Sequence, residues 1–457
     1  MCARISGLLK NRWTSVALGA SLLLAITSFA RAQPGPSRGF TGVDHDVQAF
    51  IPWNGSWLIG GNFSHVDGIE AHGIARWDGS SWSAMDAGLH PASAGYVGVH
   101  AFAVWNGTLI AAGNFYVEDW TTCNIAQWNG TSWVHIGSGI GPPDDYVYSL
   151  VVHNGQLYAG GLFAGYIRMV GGTAPGGGTD DEVYSLASWN GLLIAAGYFH
   201  NAGGVSCAHI AQWDGSSWAP LGPGVEGTSI ASVWALAAPS ETELYVGGRF
   251  TRAGTVPAKN IARWDGSSWS GLGSGTNLMV WALAAQPEDI LVGGEFLSAG
   301  GISLNHVARY TQAGWSAMGD GVPFVTYAFG AGLGDTLAGG HQGLSRWDGS
   351  QWGPINHTTS VRNEPGQTPV VQVFPNPSHG GVRVDFVPVT SGSVHLGIFD
   401  AAGRVVFSRF GSVSCNRPCQ LVWDGTGLSG LPVSAGSYWV RLSGDSGNAV
   451  RHAIVVR

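Results

Sequence analysis

The chain has 457 residues, of which 11% are charged, a formal net charge of −8, 72 glycines and 21 tryptophans. An acidic balance with lysine confined to Lys10 and Lys259 argues against nucleic acid or an anionic membrane as partner, since phosphate surfaces need a basic patch. Little charge with much Gly and Trp excludes a disordered chain and points to an all-β, turn-rich one with room for two or three domains.

Residues 1–32 read as a signal peptide. Arg4, Lys10 and Arg12 precede a largely apolar run from Val16 to Phe29, and Ala30-Arg31-Ala32 is a small-x-small cleavage site before Gln33. The apolar run is short for a membrane anchor, so no transmembrane segment is expected after processing. Residues 33–39 form a lead-in.

From residue 40 to 356 the chain repeats. Trp77-Asp78-Gly79-Ser-Ser-Trp82 returns as Trp128 to Trp133, Trp213 to Trp218, Trp264 to Trp269 and Trp347 to Trp352, with a worn copy from Tyr310 to Trp315. Asp-Gly or Asn-Gly between apolar residues predicts a tight hairpin with φ > 0 at both central positions, and the flanking Trp supply core area. Each unit opens with a strand: Val47-Gln-Ala-Phe, Val99-His-Ala-Phe, Val147-Tyr-Ser-Leu, Val183-Tyr-Ser-Leu, Val233-Trp-Ala-Leu, Val280-Trp-Ala-Leu and Val325-Thr-Tyr-Ala. A second strand ends in a small pair before an aromatic, as in Leu58-Ile-Gly-Gly-Asn-Phe63, where only Gly or Ala lets crowded inner backbones approach. Ile-Ala-Arg/Gln-Trp is a third strand, and a fourth follows the Asp-Gly turn.

Four short strands per unit, with starts 36 to 52 residues apart, predict a β-propeller of seven blades. Six blades with the third unit as an insertion is the alternative. That unit lacks the Trp-Asp-Gly hairpin; Tyr166 to Val170 is its expected third strand and Gly171 to Gly178 a loose stretch. The Val43 segment is a candidate to complete the last blade.

Gly-Gly after an apolar strand, then an aromatic-Asp pair and a Trp, resembles the kelch-type propeller. The tighter pattern from Ile261 to Gly275 is similar to the propeller of fungal cortical polarity markers and secreted bacterial relatives. The resemblance implies a propeller that binds or scaffolds, without naming a ligand.

Residues 357–369 read as a linker, and 370–457 as a small immunoglobulin-like sandwich of alternating strands such as Val382, Val384, Phe386 and Val394, Leu396, Ile398. Phe374-Pro-Asn-Pro-Ser378 and Ile398-Phe-Asp-Ala-Ala-Gly-Arg404 resemble the type A sorting domain of type IX secretion cargo. Trp423-Asp-Gly-Thr-Gly-Leu-Ser-Gly430 is similar to the immunoglobulin-like domain of flagellar hook-capping proteins. The resemblance implies export to the cell exterior or surface, with the secretion machinery as a partner. The linker is expected to isolate two cores with few contacts across it, so that the propeller folds without the last domain.

Chemistry-bearing motifs are sparse: no nucleophile elbow, Walker loop, His-Glu-x-x-His or EF-hand loop occurs, and no cofactor is expected. His65, Asp67, Glu70 and His72 form the most polar cluster, a candidate ligand site or a solvated loop. Tyr116, Glu118, Asp119 and Trp120 combine aromatics with carboxylates in a way that suits a sugar. Asp144-Asp145 and Asp180-Asp181 are expected to serve turns. Cys415 and Cys419 could close a small disulfide loop, while Cys123 and Cys207 are expected to be free. Two function classes follow: a non-enzymatic exported propeller that binds a protein or glycan, which is the expectation, and a secreted glycan hydrolase or lyase as the alternative.

Overall fold

The computed structural model describes residues 42–355 apart from 86, 88, 93–96, 118–122, 143, 229 and 334. It also describes residues 371–455 apart from 375–381, 387–391, 402, 414–418, 428–430 and 445–448. Residues 1–39, expected as signal peptide and lead-in, and residues 357–369, expected as a linker, lie outside the described residues.

Seven small antiparallel sheets succeed one another from Val47 to Gly353. Their inner strands are Val47–Trp53, Gly98–Trp105, Tyr146–His153, Val183–Trp189, Ser232–Ser240, Val280–Ala285 and Thr326–Gly332. Each packs beside the next in chain order, and Thr326–Gly332 packs back against Val47–Trp53, closing a ring. The chain is therefore an all-β propeller, and among the described residues it has no α-helix. In the first sheet, Ser56–Gly61, Ile74–Trp77 and Trp82–Ala84 follow the inner strand outward.

The small pair ending each second strand splits its work. A Cβ on Gly60 would lie 2.8 Å from Val99 of the next inner strand, and one on Gly339 would lie 2.6 Å from Val47, across the point of closure. The second glycine of the pair meets backbone: a Cβ on Gly61 would strike the Asp46 carbonyl of its own sheet. The first place tolerates Ala, as at Ala112 and Ala196; the second is Gly113 or Gly197 even there, because a side chain cannot share space with a carbonyl.

The Trp hairpins differ from the sequence expectation. Trp77 pairs directly with Trp82, so the loop holds four residues, and φ is positive at Gly79 (100°) but not at Asp78. Asp78 acts through its side chain: Oδ1 accepts the N–H groups of Ser80 and Ser81, each at 2.8 Å. Asn129, Asp214, Asp265 and Asp348 make the same pair of bonds. The two-residue turns with φ > 0 at both positions fall between first and second strands, at Asn54-Gly55 (47°, 73°) and Asn106-Gly107 (51°, 77°) among others.

The paired rings of these hairpins, Trp77/Trp82, Trp128/Trp133, Trp213/Trp218, Trp264/Trp269 and Trp347/Trp352, lie 5.0 to 5.5 Å apart by centroid. Trp133, Trp218 and Trp315 also reach the preceding sheet, where their indole N–H groups donate to the carbonyls of Met85 (2.6 Å), Pro175 (2.8 Å) and Leu272 (2.8 Å).

In the third sheet Ile167–Met169 is the third strand, and the inner strand stands in the ring between those of the second and fourth sheets. The 171–178 stretch is ordered rather than loose. Its short 3-10 turn, Pro175–Gly177, supplies the carbonyl that holds Trp218, and Gly176 packs against the Trp213 and Trp218 rings. Val43 does not pair with a strand of the last sheet: it bridges to Val66 in its own repeat.

Beyond the linker two sheets face one another. Val371–Phe374, Val382–Phe386 and Cys419–Trp423 form one. Gly392–Phe399, Val405–Val413, Gly436–Gly444 and Ala449–Val455 form the other. Val382, Val384 and Trp423 bury against Leu396, Ile398 and Val440 between them. The expectation of few contacts with the propeller is not met. Phe399 and Trp439 join the core of the first and last sheets, against Trp57, Leu333 and Leu337, and the Gly403 turn lies on Pro52. Apolar side chains on the sandwich edge find a matching apolar patch at the seam and bury there.

Candidate functional site

Each inner strand carries one residue too many for its partner. Val47 pairs with Gly61 and Ala49 with Gly60, leaving Gln48 as a bulge. The same irregularity falls on His100, Tyr148, Tyr184, Trp234, Trp281 and Tyr327. A bulge re-aims the side chain of the extra residue, and seven bulges at one level of the ring bring seven partly buried side chains together.

They form a near-continuous aromatic collar. Centroid separations run 5.9 Å from His100 to Tyr148, 5.6 Å to Tyr184, 3.8 Å to Trp234, 4.4 Å to Trp281 and 5.9 Å to Tyr327. Tyr184 and Trp234 stack in parallel, with planes 7° apart, whereas Trp234/Trp281 and Trp281/Tyr327 meet edge to face. Gln48 stands between Tyr327 and His100 in blade order.

The collar is uncharged at neutral pH. Burial pushes the His100 imidazole down to about 4. Burial, with the Glu182 carboxylate adding to it, holds the Tyr184 phenol well above its ordinary value. Burial, aided by Glu182, does the same to Tyr148, and burial with Asp46 and Glu295 nearby pushes Tyr327 up to about 12. The neighbouring carboxylates have partners: Glu295 accepts the Trp281 indole N–H at 3.3 Å, Tyr184 bonds Glu182, and Asp46 holds His341 Nδ1 at 3.0 Å and the Gln342 N–H at 3.2 Å. Gln48 Oε1 and His100 Nε2 are buried without a hydrogen-bond partner.

The loops singled out in sequence leave the second strands at this same end. His65 and Glu70 face each other across a short hairpin with Asp67 in its turn (φ 49°). They do not converge as one cluster: His65 Nδ1 approaches Asp44 at 3.3 Å, while His72 Nε2 approaches Glu70 at 3.3 Å. Among the described residues no group of three or more His, Cys, Asp and Glu is arranged to hold a metal. Asp44 accepts the N–H groups of Ser64 (2.8 Å) and His65 (3.0 Å), and Asp180 those of His200 and Asn201 (both 2.8 Å). Both carboxylates thus fasten a loop. Tyr116, next to last in the strand Thr108–Val117, pairs with His90 and Cys123; Glu118, Asp119 and Trp120 lie outside the described residues. Cys123 and Cys207 are buried, and the Cys123 thiol donates to the Gly141 carbonyl at 3.1 Å. Cys415 lies outside the described residues, and Cys419 begins a strand.

No local motif marks the collar. Its signal was available in the second residue of each Val-x-Ala/Ser repeat, where His, Tyr, Tyr, Trp and Trp succeed one another. The seventh member is offset by one, since Thr326, not Val325, takes the Val47 place.

Residues 289–314 match a family model described as a domain of unknown function (DUF5122) beta-propeller. No curated protein matches the chain. Among solved structures, PorZ of Porphyromonas gingivalis, described as an essential bacterial surface component of the type-IX secretion system, is 14% identical. The alignment covers 94% of this chain but 61% of that one, with a TM-score of 0.35. Latent PorU of the same organism is 12% identical over 90% of this chain and 32% of that one, TM-score 0.18. A family 43 arabinoxylan arabinofuranohydrolase of Bacillus subtilis is 11% identical over 92% and 97%, TM-score 0.27. No helix among the described residues is long and apolar enough to cross a membrane.

Proposed function

We propose that this chain is an exported propeller that acts by binding a ligand at the collar end, and that residues 370–457 are its sorting or attachment domain. The observation that carries the binding role is the collar itself: all seven repeats place a Gln, His, Tyr or Trp at the one bulged position of the inner strand. Its carboxylates are engaged as acceptors for ring donors and for His341, which suits holding a ligand better than a separated acid/base pair. Export is supported by the basic, apolar, small-residue order of residues 1–32 and by the sorting-type motifs at Phe374 and Ile398. The test is an array of glycans and surface peptides probed with the full chain, run beside a reducing-sugar release assay. Binding without release is the expected outcome; release of reducing ends replaces this reading with the hydrolase.

A further inference from the structure

Resting on that reading, we infer that the collar is a saccharide site, and that its ligand is an uncharged oligosaccharide presented end-on to the propeller axis. The collar offers aromatic surface and hydrogen-bonding groups side by side, the pairing that a sugar ring uses with its C–H face and its hydroxyls. Two tyrosines next to each other, Tyr148 and Tyr184, and a third, Tyr327, bring phenol groups to the ring.

Charge decides between ligand classes. An anionic glycan or a phosphate would sit beside Asp46, Glu182 and Glu295, which outnumber Arg249, the one arginine that follows a small-residue pair at this end; the chain's lysines are Lys10 and Lys259, neither in the collar. A cationic side chain would have to share those carboxylates with the donors they already accept from, Trp281, Tyr184 and His341. A neutral polyol meets none of these costs.

The sector without Tyr or Trp points the same way. Gln48 and His100 are neighbours in blade order, and Oε1 of one and Nε2 of the other have no partner. Buried polar atoms left unpaired are costly, and a ligand hydroxyl entering beside them, with a small side-chain rotation, supplies what they lack.

The experiment uses the full chain on an array of neutral, sialylated and uronate-bearing glycans together with basic peptides, followed by calorimetric titration of the best neutral hit. The expected result is binding of neutral glycans alone, weakened roughly tenfold or more in Trp281→Ala. Tyr327→Phe, which removes one hydroxyl and keeps the ring, guards against misfolding and should weaken binding several-fold at an unchanged melting temperature. Ser83→Ala, exposed on the outermost strand of the first sheet, should bind as the parent does. Equal neutral-glycan affinity in Trp281→Ala and Tyr327→Phe overturns the collar as the site while leaving a binding propeller. So does binding of basic peptides or acidic glycans in place of neutral ones. Release of reducing ends instead overturns the binding role itself.

Discussion

Asp335, in the last propeller sheet, accepts from both terminal nitrogens of Arg441, on the C-terminal sandwich, at 3.0 and 3.2 Å. Arg346 of the neighbouring propeller strand closes on the same carboxylate at 2.6 Å through Nη2. The Asp335 side chain is 7% exposed and that of Arg441 11%, so a buried ion pair, with the 33% exposed Arg346 as its third member, joins two segments 106 residues apart. Removing one member of a buried pair strands its partner's charge. Asp335→Ala, which leaves two guanidinium groups facing each other, should therefore lower stability by about 3–5 kcal/mol. Arg441→Ala should cost less, since Arg346 still meets Asp335. Urea denaturation of both variants checks the order.

The same interface changes what truncation should do. Among the described residues ring closure uses no exchanged strand: the first sheet is built from residues 47–84 and the last from 326–353. Phe399 and Trp439 cover Trp57, Leu333 and Leu337 at that seam. A chain ending at Ile355 should melt lower than the full chain's propeller and bind more of a dye for apolar surface, because it bares that patch. An unchanged propeller melting temperature would restore the picture of two separate cores.

Equivalent tryptophans are not energetically equivalent. Trp264→Ala and Trp269→Ala should each cost about 3–5 kcal/mol through lost burial. Trp218 donates to Pro175, but Trp269 Nε1 is buried without a partner. Trp218→Phe should thus cost about 1 kcal/mol more than Trp269→Phe, measured by paired denaturation curves.

Stability should fall with acid in two windows. His100 titrates near 4 when folded against 6.5 ordinarily, because burial disfavours the charged ring. Its neutral form favours the native state above pH 6.5, and that contribution drains away as pH falls toward about 4. The hairpin carboxyls follow below that: hydrogen bonds from Ser217 and Ser216 bring Asp214 down to about 2 from 3.8, so its contribution is lost between those values. Asp214→Asn keeps the acceptor oxygen and should flatten that turn's share of the lower window. Proton titration by NMR should show His100 neutral down to about pH 4.

The sequence by itself determined the repeat. Trp-Asp-Gly-Ser-Ser-Trp and the glycine pairs are local rules: an Asp oxygen finds amides two and three residues on, and a Cβ at Gly61 has a carbonyl in its way whatever the rest of the molecule does. Strand order and the apolar faces follow from the same short-range chemistry, which is why the all-β propeller is legible in the order of residues alone. Only the tertiary structure decided what the repeats assemble. His100, Tyr148, Tyr184, Trp234, Trp281 and Tyr327 lie in six different repeats, and nothing local to each says that they touch; ring closure puts them at one level, and a bulge in each strand turns them together. Arg441 likewise reads as a surface residue in its alternating strand. It becomes an anchor because the sandwich lands on the seam, a placement fixed by the fit of two apolar surfaces distant in sequence.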